Sequence, residues 1–136
     1  MLQLTSTITE NATIEIGLRD IEVPKPGADE VLIEVQASPI NPSDLGTLVG
    51  AGDLTSIRVE GEGDQAKVIM DIPESVMWAM KPRIGKPLPV GNEGSGTVID
   101  AGENAKHLIG KVVSAVGGGM YAQNRVLPAM ACIEMP

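Results

Sequence analysis

Short runs of alternating apolar and polar residues, each bounded by glycine or proline, recur along the chain. The clearest run is Glu30–Ala37, in which β-branched residues occupy every second position from Val31 to Val35. A period of two is typical of a β-strand with one buried face. Further strands are predicted where similar runs occur: Ser6–Thr9, Thr13–Leu18, Gly94–Asp100, Lys111–Val116, Tyr121–Leu127 and Cys132–Glu134.

Two segments between these strands carry other patterns. Residues Thr55–Met70 are predicted to form a β-hairpin, because apolar alternation resumes on both sides of the polar tip Gly61–Gln65. A helix is predicted at Glu74–Met80, with Asp71 as its N-cap and Pro73 in its first turn. Its apolar residues would share one face: Val76, Met77 and Met80.

The composition supports a mainly β chain. The 136 residues include 13 Val and 13 Ile but one Trp, one Tyr and no Phe, while 16 Gly and 10 Pro supply turns. β-branched residues favour strands, and frequent proline works against long helices. We therefore predict one mainly β domain, a closed or partly closed barrel with one or two short helices.

The charge balance excludes several function classes. Lys and Arg total 10 against 18 Asp and Glu, a net charge of −8, and no basic stripe is present for a nucleic acid or a membrane surface. No basic residue precedes Arg19, and no apolar segment of signal-peptide type follows the start. A single cysteine, Cys132, permits no intramolecular disulfide, which fits a reducing compartment such as the cytoplasm.

Four sequence features could carry chemistry, and each has a simpler interpretation. Gly61–Ala66 fits the dinucleotide-binding expression, but a strand rather than a helix is predicted to follow it, so a hairpin turn is favoured. Gly117–Gly119 is interpreted as a bend between strands. His107 is expected at the surface, and Cys132 as a small buried apolar residue, because neither lies at ligand spacing from another soft ligand.

Two rigid turns beside predicted strands carry clustered polar residues. Ser38–Asp44 is predicted to be an ordered loop, since it contains Pro39 and Pro42. Pro89–Val98 combines a glycine-rich turn with an acidic and an amide side chain. Binding residues concentrate on such loops, although either loop alone is more often simple turn chemistry.

The order of these segments resembles the N-terminal, GroES-like domain of medium-chain dehydrogenase/reductases, especially the zinc-free quinone oxidoreductases and 2-enoyl thioester reductases. The resemblance rests on Ile40–Asp44, Gly91–Gly94, Gly96–Gly102 and Gly110–Val113, and it covers nearly the whole chain. It implies a partly open GroES-like barrel, with an inserted hairpin and helix at about residues 50–89. In this family a Rossmann cofactor domain follows the barrel, and residues 1–136 contain none, so we expect the chain to be a domain fragment.

The resemblance also assigns the site residues. Zinc-dependent relatives have a cysteine at the position of Asn41 and a histidine at the position of Asn92, so no catalytic zinc is expected. Ser43 matches a proton-relaying hydroxyl, and the amides of Asn41 and Asn92 become candidate catalytic donors. The remaining candidates for the cleft are Pro42, Asp44, Glu93 and Tyr121, of which Tyr121 is equally well explained as a packed barrel residue.

The implied function is the substrate-side domain of an NADPH-dependent, zinc-independent oxidoreductase. Its substrate would be a small molecule such as a quinone, an enone or an enoyl compound, although Leu48–Asp53 lacks the tyrosine that enoyl reductases bring after this loop. The fragment alone is expected to be inactive and to bind neither NADPH nor zinc. The alternative is a free-standing GroES-like binding or assembly module, whose hairpin 57–70 could add to another sheet edge. A homodimer is left open.

Overall fold

A computed structural model describes all 136 residues of the chain. The contacts between residues divide it into two compact units. Unit 1 comprises Met1–Gln3, Asp20–Ile40 and Gly91–Pro136, and unit 2 comprises Leu4–Arg19 and Asn41–Val90. The two site loops predicted from the sequence therefore fall largely in different units.

Ten strands and two short helices make up the regular structure. The strands are β1 (Leu2–Ile8), β2 (Thr13–Asp20), β3 (Glu30–Ala37), β4 (Arg58–Glu60), β5 (Lys67–Asp71), β6 (Leu88–Pro89), β7 (Glu93–Ala101), β8 (Val112–Val116), β9 (Asn124–Pro128) and β10 (Cys132–Glu134). The helices are α1 (Pro42–Val49) and α2 (Glu74–Met80), and short 3-10 turns occupy residues 54–56, 63–65, 81–83, 106–108 and 129–131.

The sheet of unit 1 is antiparallel, with the strand order β10-β8-β7-β3-β9. β3 lies between β7 and β9, and Leu32 is buried together with Val31 and Ile33, so this strand is covered on both faces. The cluster around Val31 and Ile33 includes Val98, Val113, Met120 and Leu127. Aliphatic residues and a methionine thus build this core in place of aromatic ones.

The sheet of unit 2 has the order β4-β5-β2-β1-β6. The predicted hairpin is confirmed, because β4 and β5 pair antiparallel with Val59 opposite Val68. Ile8, Ile14, Met70 and Ile72 form the core, and the predicted apolar face of α2 packs against it through Val76, Met77 and Met80. No helix of the chain is long and apolar enough to cross a bilayer.

The predicted mainly β class, a partly open GroES-like arrangement with two short helices, is confirmed, since neither five-stranded sheet closes on itself. Three local predictions were wrong. The loop predicted at Ser38–Asp44 ends at Asn41, the N-cap of α1, and the helix begins at Pro42. Asp71 belongs to β5, and Pro73 takes the N-cap position of α2. The strand predicted from Tyr121 begins at Asn124, because residues 121–123 form a bend after the glycine turn.

Candidate active site

Asn41 is the N-cap residue of α1. Its backbone is extended, with φ −94° and ψ 155°, and Pro42 follows in the first turn. Asp44 stands at the third helical position, and its Oδ2 accepts a hydrogen bond from the Asn41 backbone N–H at 2.8 Å. An N-cap asparagine with an acidic residue three positions later forms a capping box, which satisfies helix N–H groups that lack internal partners.

The three polar residues of this turn differ in burial. Asp44 is buried, with 2% of its surface exposed, whereas Asn41 is half-buried and Ser43 is exposed on the first turn of α1. The buried carboxylate therefore fixes the turn, and the amide and hydroxyl groups lie nearer the surface. The capping bond gives Asp44 a structural role in place of the cleft role expected from the sequence. The roles of Asn41 and Ser43 toward a substrate stay predictions.

Gly91 and Asn92 form the turn before β7 in unit 1. Gly91 has φ +97°, a conformation that favours glycine, and an added Cβ would lie 2.6 Å from Cδ1 of Tyr121. The Asn92 carbonyl oxygen accepts hydrogen bonds from the N–H groups of Gly117 and Gly118, both at 3.1 Å. These two bonds fix the carbonyl group of Asn92, while its side chain is exposed.

The triple-glycine segment Gly117–Gly119 is the bend predicted from the sequence. Arg125 fills it from the next strand, where its Nε donates to the Gly118 carbonyl at 2.8 Å and its Nη2 to the Gly117 carbonyl at 3.1 Å. No helix follows this bend; β9 does. A phosphate loop needs backbone N–H groups at a helix start, so the segment does not fit a pyrophosphate.

Tyr121 ties the segment before Asn41 to the Gly91 turn. Its hydroxyl donates to the Pro39 carbonyl at 2.9 Å, and the Ser38 hydroxyl donates to the Met120 carbonyl at 3.0 Å. Both bonds join residues that are 82 positions apart in the sequence. Within unit 1, Tyr121 therefore fixes the position of the segment that ends at Ile40. Its role toward a substrate stays a prediction.

A shallow groove of about 460 Å³ lies within unit 1, beside the Gly91 turn. Its lining is mostly apolar and includes Pro39, Glu93, Ala115, Val116, Ile133 and Met135. The sequence analysis named Glu93 and placed Pro39 in a candidate loop, but it missed the groove residues from Ala115 to Met135. Alternation in the last strand was their only signal, because an apolar residue stands on each side of Glu134 there.

The candidate residues are distributed over both units. Asn41, Ser43 and Asp44 belong to unit 2, whereas Asn92, Glu93, Tyr121 and the groove belong to unit 1. The convergence of Asn41 and Asn92 on one substrate stays a prediction.

The remaining sequence features have structural explanations. Gly61–Ala66 is the tip of the β4–β5 hairpin, as predicted, and it leads into a strand. His107 is exposed on the 3-10 turn at residues 106–108. Cys132 is half-buried against the core of unit 1, and this burial raises the pKa of its thiol, which disfavours the nucleophilic thiolate. No three His, Cys, Asp or Glu side chains lie close enough to hold a metal ion.

A family model for the alcohol dehydrogenase GroES-like domain matches residues 27–136. The chain belongs to this family. The match spans β3 to β10 and therefore includes both candidate loops, Ile40–Asp44 and Gly91–Gly94. The family resemblance inferred from the sequence is thereby confirmed. A comparison with curated proteins gave no significant match.

Solved structures of larger oxidoreductases share the fold of this GroES-like domain. A candidate NADPH:quinone reductase from Mesorhizobium loti is 26% identical, with a TM-score of 0.60 over 100% of this chain and 36% of that one. Escherichia coli quinone oxidoreductase in complex with NADPH is 16% identical (TM-score 0.63, 100% and 33% covered), and the CurK enoyl reductase is 18% identical (0.64, 99% and 35%). The chain thus spans about a third of the length of these structures.

Proposed function

We propose that residues 1–136 form the substrate-side domain of an NADPH-dependent, zinc-independent oxidoreductase that reduces a quinone, an enone or an enoyl compound. The observation that carries the proposal is the pair of amides, Asn41 and Asn92, in a GroES-like domain whose zinc-dependent members have a cysteine and a histidine there. Amide side chains are poor replacements for thiolate and imidazole as zinc ligands. The hairpin and α2, between residues 50 and 89, form an insertion in this domain.

The donors of this site would stabilise negative charge on the substrate oxygen without a metal. The chemistry that a bound nicotinamide cofactor would supply is a hydride for the substrate carbon. The Nδ2 groups of Asn41 and Asn92 would donate to the carbonyl oxygen as its charge develops. The exposed Ser43 hydroxyl would relay a proton to that oxygen and regain one from water. Donors that are fixed before the reaction are effective because little reorganisation is then needed.

The local structure supports this role for Asn41 and Asn92. Asn41 is fixed by the cap of α1, and the turn around Asn92 is fixed by Gly91 and by two backbone hydrogen bonds. The neighbouring groove offers apolar contacts for a planar ring, with Glu93 at its border. A small substrate with one polar oxygen and an apolar body matches this distribution of groups.

The cofactor phosphates would be held outside residues 1–136. Neither Gly61–Ala66 nor Gly117–Gly119 fits a pyrophosphate, since a strand follows each of them. The E. coli quinone oxidoreductase and the mycobacterial protein Rv1454c were each solved with NADPH, and this chain covers 33% of either protein. We infer that a separate nucleotide-binding domain belongs to the active enzyme, and the single cysteine supports a reducing, cytoplasmic location.

Steady-state kinetics of the natural gene product that carries residues 1–136 test the proposal, with NADPH, one quinone and one enone. Asn41→Asp keeps a good N-cap residue but removes the amide donor, and we expect kcat to fall about 100-fold, the lower end for loss of an oxyanion donor. Asn11→Asp makes the same change in an exposed turn and should leave kcat unchanged. Wild-type kcat in Asn41→Asp, or no reductase activity with either substrate class, would contradict the proposal.

A further inference from the structure

β4 is the edge strand of the sheet in unit 2. All three of its residues are exposed, and Val59 exposes 66% of its surface. Ile57, which immediately precedes β4, exposes 54% of its surface. Edge strands of soluble proteins are commonly protected by charge or by a covering element, because their unpaired N–H and C=O groups can pair with another strand.

The apolar face of this sheet continues to the edge. Val59 lies opposite Val68, and Val68 lies opposite Ile16 on the other side of β5. Alternation along β5 places Val68 on the same face as Met70, which is completely buried in the core of unit 2. The sheet face that α2 covers around Met70 is therefore exposed to solvent at the edge, at Val59.

The charges on β4 are self-complementary. Arg58 and Glu60 flank Val59 and point to the opposite face of the sheet. In an antiparallel pair related by a two-fold axis through Val59, Arg58 faces Glu60 of the partner subunit and Glu60 faces Arg58 of the partner subunit. The two valines then meet on the axis, on the apolar face.

We propose that β4 pairs antiparallel with β4 of a second copy of this chain, centred on Val59. This interface would pair the free backbone N–H and C=O groups of β4, cover Val59 and form two equivalent ion pairs between Arg58 and Glu60. The exposed Arg58–Asp71 pair, at 3.2 Å, does not prevent this, since exposed ion pairs hold side chains weakly. Gly61, with φ +80°, ends the strand, so the contact is short and the dimer weak.

Sedimentation of the 136-residue chain, over about 1 to 500 μM, tests the association. We expect the average mass to rise with concentration from 14.2 kDa toward twice that value, with a dissociation constant in the micromolar range or weaker, as for small transient interfaces. Val59→Lys places two like charges on the axis and should leave only monomer. Val112→Lys, which changes an exposed strand valine of the other unit, should associate like wild type.

A charge swap distinguishes this specific strand pairing from non-specific association. Arg58→Glu opposes two pairs of carboxylates and should weaken association about tenfold. The double variant Arg58→Glu/Glu60→Arg restores both pairs with reversed direction and should recover association to within about threefold of wild type. Circular dichroism checks that each variant is folded. A monomeric wild type at 500 μM, association of Val59→Lys, or no recovery in the double variant would overturn the proposal.

Disulfide trapping tests the register in a Cys132→Ser background. Cysteines at position 59 face each other across the axis, at a separation that a disulfide can bridge. Cysteines at position 60 lie two residues out of register, about 8 Å apart, which is too far. We expect Val59→Cys to form a covalent dimer under mild oxidation much faster than Glu60→Cys. Equal rates, or a faster Glu60→Cys, would contradict the axis at Val59.

Discussion

At the scale of single residues, Asn41 combines a structural and a proposed chemical role. Residues Asn41–Asp44 follow the pattern of a helix start, with the cap residue, a proline at the first position and an acid at the third. The sequence analysis assigned the segment to a loop because of Pro39 and Pro42. The helical signal that follows is weak, since the helix has only eight residues and includes Gly46. For so short a helix, the capping residues are a better basis for prediction than the helix propensities of the residues that follow.

Substitutions at Asn41 should separate the cap from the chemistry. Asn41→Ala is expected to lower the free energy of unfolding by about 1 kcal/mol, because it removes the capping side chain. Asn41→Ser and Asn41→Asp keep good caps and should stay within a few tenths of a kcal/mol of wild type. Urea denaturation followed by circular dichroism measures all three. Equal stability of Asn41→Ala and Asn41→Ser would show that the cap contributes nothing.

Gly91 is required because Tyr121 lies too close to leave room for a Cβ atom. In Gly91→Ala the new Cβ would lie 2.6 Å from Cδ1 and 2.7 Å from the backbone nitrogen of Tyr121. We expect more than about 2 kcal/mol of destabilisation, since both a left-handed conformation and a steric clash are imposed. Gly118→Ala is the matched control, because its φ is +70° but no atom lies within 4 Å of the added Cβ. It should cost only about 1 kcal/mol, measured in the same denaturation experiment. Similar losses in the two variants would refute the role of the clash.

At the scale of elements, the alternation of apolar and polar residues was sufficient to predict most strands. The glycine-rich polar tip was sufficient to predict the hairpin. β3, α2 and β10 begin and end where the sequence predicts. The errors lie where a neighbouring element decides the conformation. Tyr121 continues an apolar run in the sequence, but its hydrogen bond to Pro39 holds it in the bend before β9, and no local pattern reports that bond.

Tyr121→Phe measures how much this hydrogen bond stabilises the segment that ends at Ile40. The ring that packs on Gly91 is kept, and only the hydrogen bond to the Pro39 carbonyl is lost. We expect about 1 kcal/mol of destabilisation and faster amide exchange at Ile40 than in wild type. Amide exchange at Val68, in the hairpin of unit 2, serves as the internal control and should not change. Unaltered exchange at Ile40 would show that the segment is held by other contacts.

At the scale of the whole molecule, the sequence predicted the strands but not their partners. The order β4-β5-β2-β1-β6 joins strands from positions 2 to 89, and β3 pairs with β7 and β9 more than fifty residues later. Such pairings depend on which faces become buried together, which a period of two cannot specify. The same limit explains why the groove residues of β8 and β10 were missed, because their neighbours are set by strand order.

No turn of either unit fits a pyrophosphate. This leads to a prediction for the isolated chain. Arg125 fills the Gly117–Gly119 bend by donating to its carbonyl groups, and the hairpin tip presents Glu62 and Asp64, which repel phosphate. The net charge of −8 opposes an anionic ligand further. Titration calorimetry of the 136-residue chain with NADPH should therefore show a dissociation constant weaker than about 1 mM, a binding free energy of less than about 4 kcal/mol. The natural gene product, if it carries the inferred nucleotide-binding domain, should bind NADPH in the micromolar range in the same buffer. Micromolar binding by the 136-residue chain would place a cofactor site within residues 1–136 and would refute the division of roles proposed above.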